Sequence, residues 1–311
     1  MTRAVGTAED PLRFHDGKPP LGLIAGPTAS GKSGYAVALA QAVQASGRPA
    51  AIINADSAQM YADLCVLSAR PAQNETGGVD HRLYGVWDGA RAGSAVEWAQ
   101  LAKTEIAAVH AAGGVPILVG GTGLYLRILL EGVAPIPAIA DEVRDSVRAM
   151  PHSEARRALE REDADTARLL APADRTRTQR ALEVVRATGR SIGEWRTMKK
   201  GGIEQEVAID ARILLPPRDR LHQRANTRFQ AMVRDGAIGE VEALLARNLE
   251  PSVPVMRAIG VPELSAYLRG AMTLAEATAS GQTATRQYAK RQCTWFTRQS
   301  PREWRRLTEG F

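Results

Sequence analysis

The chain has 311 residues, 40 Lys plus Arg against 34 Asp plus Glu, and a formal net charge of +6. Its 44% hydrophobic and 24% charged content is that of a globular protein large enough to bury a full core. The two cysteines, Cys65 and Cys293, are too far apart for a CxxC motif, which argues against a disulfide framework or a cysteine zinc site, and no apolar run approaches the ~18 residues of a transmembrane helix.

Residues 1–20 are polar and carry Pro11, Pro19 and Pro20. They lack the apolar centre of a signal peptide, so a flexible N-terminus on a cytoplasmic, non-membrane protein is expected. Leu21–Ala25 is a short apolar run meeting a glycine-rich turn, the pattern of a buried strand. An Ala/Leu/Val-rich helix follows Lys32 to about Ala45, then a second strand over Ala51–Ala55. Val96–Ala112 reads as a helix stopped by Gly113 and Gly114, and Val115–Val119 as a third buried strand. Strand, helix, strand, helix, strand predicts an α/β fold with a parallel sheet and right-handed crossovers.

The composition changes at Val133–Ile139, which holds two prolines. From Asp141 to about Arg196 the chain is Arg/Glu/Ala-rich with helical spacing. Val207–Leu215 returns to strand character, and helices are expected over roughly 217–235, 237–247, 262–269, 274–280 and 282–299. The simplest organisation is a core of 21–133 and 206–311 interrupted by a small helical insertion at 134–205.

The charge is concentrated. Residues 175–200 hold eight basic and two acidic side chains, and residues 286–306 hold seven and one, so each segment is +6. The remainder has 25 basic and 31 acidic residues, or −6. Two basic patches on an acidic body point to a polyanionic partner, with solvated helix faces as the plainer alternative.

Gly26, Pro27, Thr28, Ala29, Ser30, Gly31, Lys32 and Ser33 fit G-x4-G-K-[ST]. The glycines let backbone N–H groups curl around phosphate oxygens, and a helix beginning near Lys32 adds its positive end. Lys32 supplies a cation, and the Ser33 hydroxyl can ligate Mg2+. The loop therefore binds a di- or triphosphate without specifying which. An NTPase normally places an acid at the end of another buried strand. Here the third strand ends Val119-Gly120-Gly121-Thr122-Gly123, with no acid. Asp56, in Asn54-Ala-Asp-Ser-Ala-Gln-Met-Tyr61, follows the second strand, at the strand ends where ligands of parallel sheets bind. It could ligate Mg2+, accept a proton from a nucleophile, or simply cap the next helix. Ser57 and Gln59 could reach a base edge.

With these motifs assembled, the sequence resembles the tRNA dimethylallyltransferase (tRNA isopentenyltransferase) family. The similar segments are GPTASGKS at 26–33, NADSAQMY at 54–61, HRLYG at 81–85, PILVGGTGLYLRILLEG at 116–132, RALEVVRATGR at 180–190, LHQRANTRFQAM at 221–232, MRAIGVPEL at 256–264 and TRQYAKRQCTWF at 285–296. They run in the family's order from residue 21 to about 300. The resemblance implies a P-loop NTPase-like core with a helical insertion, and transfer of a dimethylallyl group from dimethylallyl diphosphate to N6 of adenine 37. That adenine lies beside the anticodon of tRNAs reading codons that begin with U. It further implies Mg2+, a monomer, and a tRNA anticodon stem-loop gripped between the two parts.

The resemblance assigns Asp56 as the base. It places Thr28, Lys32, Arg224 and Arg228 around the diphosphate, Arg228 foremost. It gives Asp56, Ser57, Ala58, Gln59, Thr122, Arg144, Arg177, Arg180, Arg257, Gly260, Gln282, Arg286, Lys290 and Arg291 to the tRNA. Two positions depart from the family pattern: Thr176-Arg177 replaces a Gln-Arg pair, and Leu67-Ser-Ala-Arg70-Pro71 replaces Gly-Thr-Ala-Lys-Pro. A small-molecule or nucleoside kinase would account for the loop and Asp56, but not for the two basic segments. A non-catalytic RNA-binding protein would not need an intact loop.

Overall fold

The apolar runs of the sequence become the centre of a six-stranded parallel sheet in the computed structural model, which describes residues 11–14 and 17–309. In chain order the elements are β1 (Pro20–Ala25), α1 (Lys32–Ala45), β2 (Ala50–Asn54), β3 (Asp80–Arg82), α2 (Ala95–Ala111), β4 (Val115–Gly120), α3 (Gly123–Glu131), β5 (Gly132–Val133), α4 (Asp141–Ala149), α5 (His152–Glu162), α6 (Ala164–Leu169), α7 (Arg175–Thr188), α8 (Ile192–Thr197), β6 (Lys200–Gly201), β7 (Ala208–Leu214), α9 (Arg218–Met232), α10 (Ile238–Ala246), α11 (Val261–Leu268), α12 (Leu274–Gln299) and β8 (Arg305–Leu307).

The sheet order is β3-β2-β4-β1-β7-β8, every pair parallel. β1 sits between β4 and β7, so the chain leaves β1 toward one edge and later returns on the other side. That reversal opens a crevice at the carboxyl ends of the strands. Strands β1, β2 and β4 are buried almost throughout, as central strands of a parallel sheet must be. Ile24, Leu39, Ile52, Ile117, Val119 and Leu214 form the core between the sheet and α1.

Two compact units are present. One comprises residues up to Leu129 together with those from Glu204 onward; the other is Leu130–Ile203. The second begins slightly earlier than the expected 134–205, because Gly132 and Val133 pair antiparallel with Gly201 and Lys200 and close its ends together. Its helices α4–α8 pack around Val147, Leu159, Leu182 and Val184.

Four expectations need correction. The flexible segment expected over 1–20 lies outside the described residues for 1–10 and 15–16. Residues 11–14 are held: buried Arg212 on β7 donates to Pro11 O at 2.9 Å, the Arg13 N–H donates to Asp210 Oδ2 at 2.8 Å, and Leu12 packs on the core. Second, the break expected near Gly281 does not occur, and α12 runs unbroken. A Cβ at Gly281 would stand 2.1 Å from Phe229 Cζ, so this glycine serves close helix packing against α9. Third, the short polar edge strands β3 and β8 were not expected, and three residues carry too little hydrophobic pattern to announce them. Fourth, the apolar run that begins at Gly123 forms the unexpected helix α3.

Candidate active site

Backbone chemistry shapes the phosphate loop between β1 and α1. The Ser30 N–H donates to Pro27 O at 3.2 Å, and Gly31 takes a left-handed conformation with φ of 94° immediately before α1. Lys32 and Ser33 open α1, whose first N–H groups have no partners within the helix and attract anions. Arg228, on α9, donates through Nη2 to Thr28 Oγ1, and Arg224 donates to Ser30 O at 3.4 Å. Both arginines predicted at i and i+4 therefore reach the loop.

Asp56 follows β2 and is set by Asn54, the first residue of the same 54–61 segment, to which the sequence assigns no role. Asn54, fully buried, accepts from the Asp56 N–H at 2.8 Å and donates through Nδ2 to Asp56 O at 3.0 Å and Leu83 O at 2.9 Å. Asp56 Oδ1 accepts from the Ala58 N–H at 3.1 Å, but the N-cap of the short 3-10 turn Ala58–Met60 is Ser57, so Asp56 is not its N-cap. Its Oδ2 has no hydrogen-bond partner among the described residues, which leaves one oxygen for chemistry. Thr122, after β4, accepts from the Ser57 N–H at 3.0 Å, and its hydroxyl donates to Ser57 Oγ at 3.4 Å.

Thr28, Asp56, Ser57, Arg228 and Tyr288 line one cavity of about 380 Å³, within the size range of small-molecule sites, whereas Lys32, Ser33, Arg224 and Thr122 are not part of its lining. Thr28, Asp56, Arg228, Tyr288 and Arg291 supply its polar wall, while Leu64, Leu67, Phe229, Met232, Val255 and Ile259 supply an apolar one. Burial pulls the Lys32 ammonium down to about 8, with nearby Asp56 raising it and Arg228 lowering it. Burial also lowers Arg228, again opposed by Asp56. Burial and then the Asp56 charge push Tyr288 well above its ordinary range, so its phenol stays protonated. The site thus holds cationic groups beside a single carboxylate, a balance suited to an anionic ligand.

The sequence model of the IPP transferase family matches residues 59–299, most of the chain. The chain belongs to the IPP transferase family. It is 60% identical over 290 residues to a tRNA dimethylallyltransferase of Erythrobacter litoralis, covering 93% of this chain and 92% of the relative. It is 55% identical to one of Sphingopyxis alaskensis, covering 93% and 94%. Among solved structures, a tRNA isopentenylpyrophosphate transferase of Bacillus halodurans superposes with a TM-score of 0.67 at 30% identity, covering 94% of this chain and 90% of the other. A eukaryotic dimethylallyltransferase acting on tRNA superposes with a TM-score of 0.77 at 26% identity, covering 89% and 70%.

In this IPP transferase chain the cavity gathers Thr28, Asp56, Ser57, Ala58, Arg257 and Arg291 with Arg228. Gln59 is turned away: its Nε2 donates to Ser68 O at 3.0 Å and Ala69 O at 2.8 Å. Gly260 N donates to Glu263 Oε2 at the start of α11. Gln282 Nε2 and Arg286 Nη1 donate to Asn226 O and Oδ1, at 3.1 and 2.7 Å. Lys290 lines a second, smaller hollow with Arg218, His222 and Cys293. Arg144, Arg177 and Arg180 belong to the unit Leu130–Ile203 and pair there with Asp141, Asp174 and Glu183. Sequence reasoning missed Asn54, Tyr288 and Gln292. Gln292 joins the Thr28 N–H to Gly121 O. A buried amide directly at a strand end was the available signal for Asn54.

No group of three or more His, Cys, Asp or Glu stands ready for a metal among the described residues. A Mg2+ carried by a diphosphate keeps several waters and needs only one or two protein donors. The exposed Ser33 hydroxyl in the first turn of α1 fits that requirement.

Proposed function

We propose that this chain transfers a dimethylallyl group from dimethylallyl diphosphate to the exocyclic N6 amine of adenine 37 in tRNAs reading U-starting codons, releasing diphosphate. The observation that carries the reading is one carboxylate, Asp56, lining a cavity whose polar wall also holds Thr28 and Arg228. The C1–O bond to the diphosphate breaks, the N6–C1 bond forms, and the amine proton passes to Asp56. The exocyclic amine is a weak nucleophile, and a carboxylate within reach raises its competence as the new bond forms. Negative charge grows on the departing diphosphate, where the loop N–H groups, Lys32 and Arg228 oppose it. The apolar wall suits a branched five-carbon chain and shelters it from water.

Mg2+ would be held by Ser33, and when bound it supplies further charge neutralisation on the diphosphate. Adenine must leave the anticodon stack to enter the cavity, a cost of a few kcal/mol that base contacts offset. We place the enzyme in the cytoplasm as a monomer. No described helix is long and apolar enough to cross a membrane. The kinase reading is disfavoured by the family membership and by the missing acid at the end of β4.

The test is label transfer from dimethylallyl diphosphate to unmodified tRNA with Mg2+, with released diphosphate measured in parallel. ATP consumption without transfer overturns the proposal. Asp56→Asn should lower kcat by about 10²–10⁴ and leave tRNA binding largely intact. Near-normal turnover in that variant removes Asp56 as the base.

A further inference from the structure

We infer that Gln292 is a positioning residue that fixes the spacing between the leaving-group side and the base side of the cavity; this rests on the transfer reaction proposed above. Gln292 lies on α12 and is 5% exposed. Its Oε1 accepts from the Thr28 N–H at 2.8 Å, and its Nε2 donates to Gly121 O at 2.9 Å. One planar amide thereby spans the loops that follow β1 and β4. Each loop carries the constraint onward. Thr28 Oγ1 receives Arg228. Gly121 precedes Thr122, whose Oγ1 accepts from the Ser57 N–H at 3.0 Å and whose own N–H donates to Ala55 O at 3.3 Å. Ala55 and Ser57 flank Asp56. The path from the diphosphate clamp to the carboxylate therefore runs Arg228, Thr28, Gln292, Gly121, Thr122, and the two neighbours of Asp56.

The surroundings are built for this amide. A Cβ at Gly121 would stand 2.3 Å from Gln292 Nε2, so the glycine leaves room for the bond. Three residues along α12, the Trp295 ring lies 2.3 Å from where a Cβ on Gly123 would be. The helix is thus seated on the whole Gly121–Gly123 turn. Gln292 does not line the cavity. Its bond also takes the Thr28 N–H out of the set that can face a phosphate, so this peptide is oriented by a side chain and not by the ligand. Either substrate can bind one side of the cavity without the bridge. Transfer needs amine, C1 and carboxylate aligned to a fraction of an ångström, and misplacement is felt in the chemical step.

Gln292→Met keeps the volume and removes both bonds; Gln292→Glu keeps an acceptor for Thr28 and loses the donor to Gly121. The parent chain and both variants are assayed for transfer, inorganic pyrophosphate binding, tRNA binding and thermal melting. The expected result is a fall in kcat of at least tenfold in Gln292→Met, with KM for both substrates and pyrophosphate affinity within threefold. Gln292→Glu should also fall in kcat without losing pyrophosphate. The inference is overturned if kcat per folded molecule stays within twofold of the parent, if kcat falls only in step with pyrophosphate affinity, or if neither variant folds, since the residue is then structural. Absence of transfer by the parent chain itself overturns the proposed function, and this inference with it.

Discussion

The two basic segments carry the same formal charge and use it differently. In the segment 175–200, Arg177 pairs with Asp174, Arg180 with the buried Glu183, and Arg186 with Glu162, while Arg190 lies over the Trp195 ring. With Lys199 on Glu131, four of the eight basic side chains of this segment are ion-paired within their own unit. In the segment 286–306, Arg286, Lys290 and Arg291 have no ion-pair partner among the described residues. Arg286 bonds a neutral Asn226, and Arg291 lines the cavity over the Tyr288 ring at 5.6 Å. Summed charge therefore overstates the first segment as an anion grip and understates the second. What attracts a polyanion is the charge left after local pairing.

Between the two segments the larger effect should come from Arg291→Ala, which removes a cation without an ion-pair partner among the described residues from the cavity wall. Arg291 is exposed, so the loss is that of a solvated cation attracting a polyanion, and we expect kcat/KM for tRNA to fall about tenfold, equivalent to ~1.4 kcal/mol. Arg177→Ala, whose side chain is 73% exposed and already paired, should change the same quantity threefold or less. Equal losses in steady-state kinetics would erase the distinction between the segments. A pH titration probes the phosphate loop apart from both segments. Burial draws Lys32 in that loop down to about 8. A diphosphate prefers the ammonium form, so affinity should be flat below about pH 7 and decline as pH rises through 8, by up to about tenfold per unit. Binding above pH 8 should take up a proton, which calorimetry in two buffers measures. Affinity that rises with pH there would contradict the assignment.

Much of the core could be read in advance because its signals are local. The apolar runs of β1, β2 and β4 and the glycine turns after them specify a parallel sheet within a few residues of each other. Thr28, Asp56 and Arg228 were legible for the same reason, since each sits in a compact motif. The rest depends on distant partners. Gln292 acquires its role from Thr28, 264 residues away, and from Gly121, 171 away. Gln59 looked like a base-reading side chain beside Asp56, yet the carbonyls of Ser68 and Ala69 claim both of its amide hydrogens. Gly281 reads as a helix stop until Phe229 is seen packed where its side chain would be. An amide or a glycine has no signature of its own, and the folded neighbourhood decides its use.

Salt dependence tests the comparison at smaller amplitude. Binding of tRNA should weaken with salt through counterion release, and Arg286→Ala or Lys290→Ala should make the log–log slope shallower by about 0.7–0.9 for each phosphate no longer neutralised. A slope unchanged in both variants would mean that neither side chain meets a phosphate. Arg186→Ala is the opposite case and the smallest effect. Its guanidinium grips Glu162 through both Nε and Nη2, at 2.9 and 2.7 Å, with the two side chains 26% and 32% exposed. We expect an unchanged salt slope and a stability loss of roughly 0.5–1 kcal/mol. The pairing holds the Glu162 carboxyl below its ordinary 4.5. Its contribution is therefore present above that pH and lost as pH falls through the depressed value in the folded protein. The parent and Arg186→Ala should differ in denaturant midpoint at pH 7 and converge in acid. A variant that keeps its midpoint at pH 7 but loses a unit of salt slope would show that tRNA, and not Glu162, is this arginine's partner.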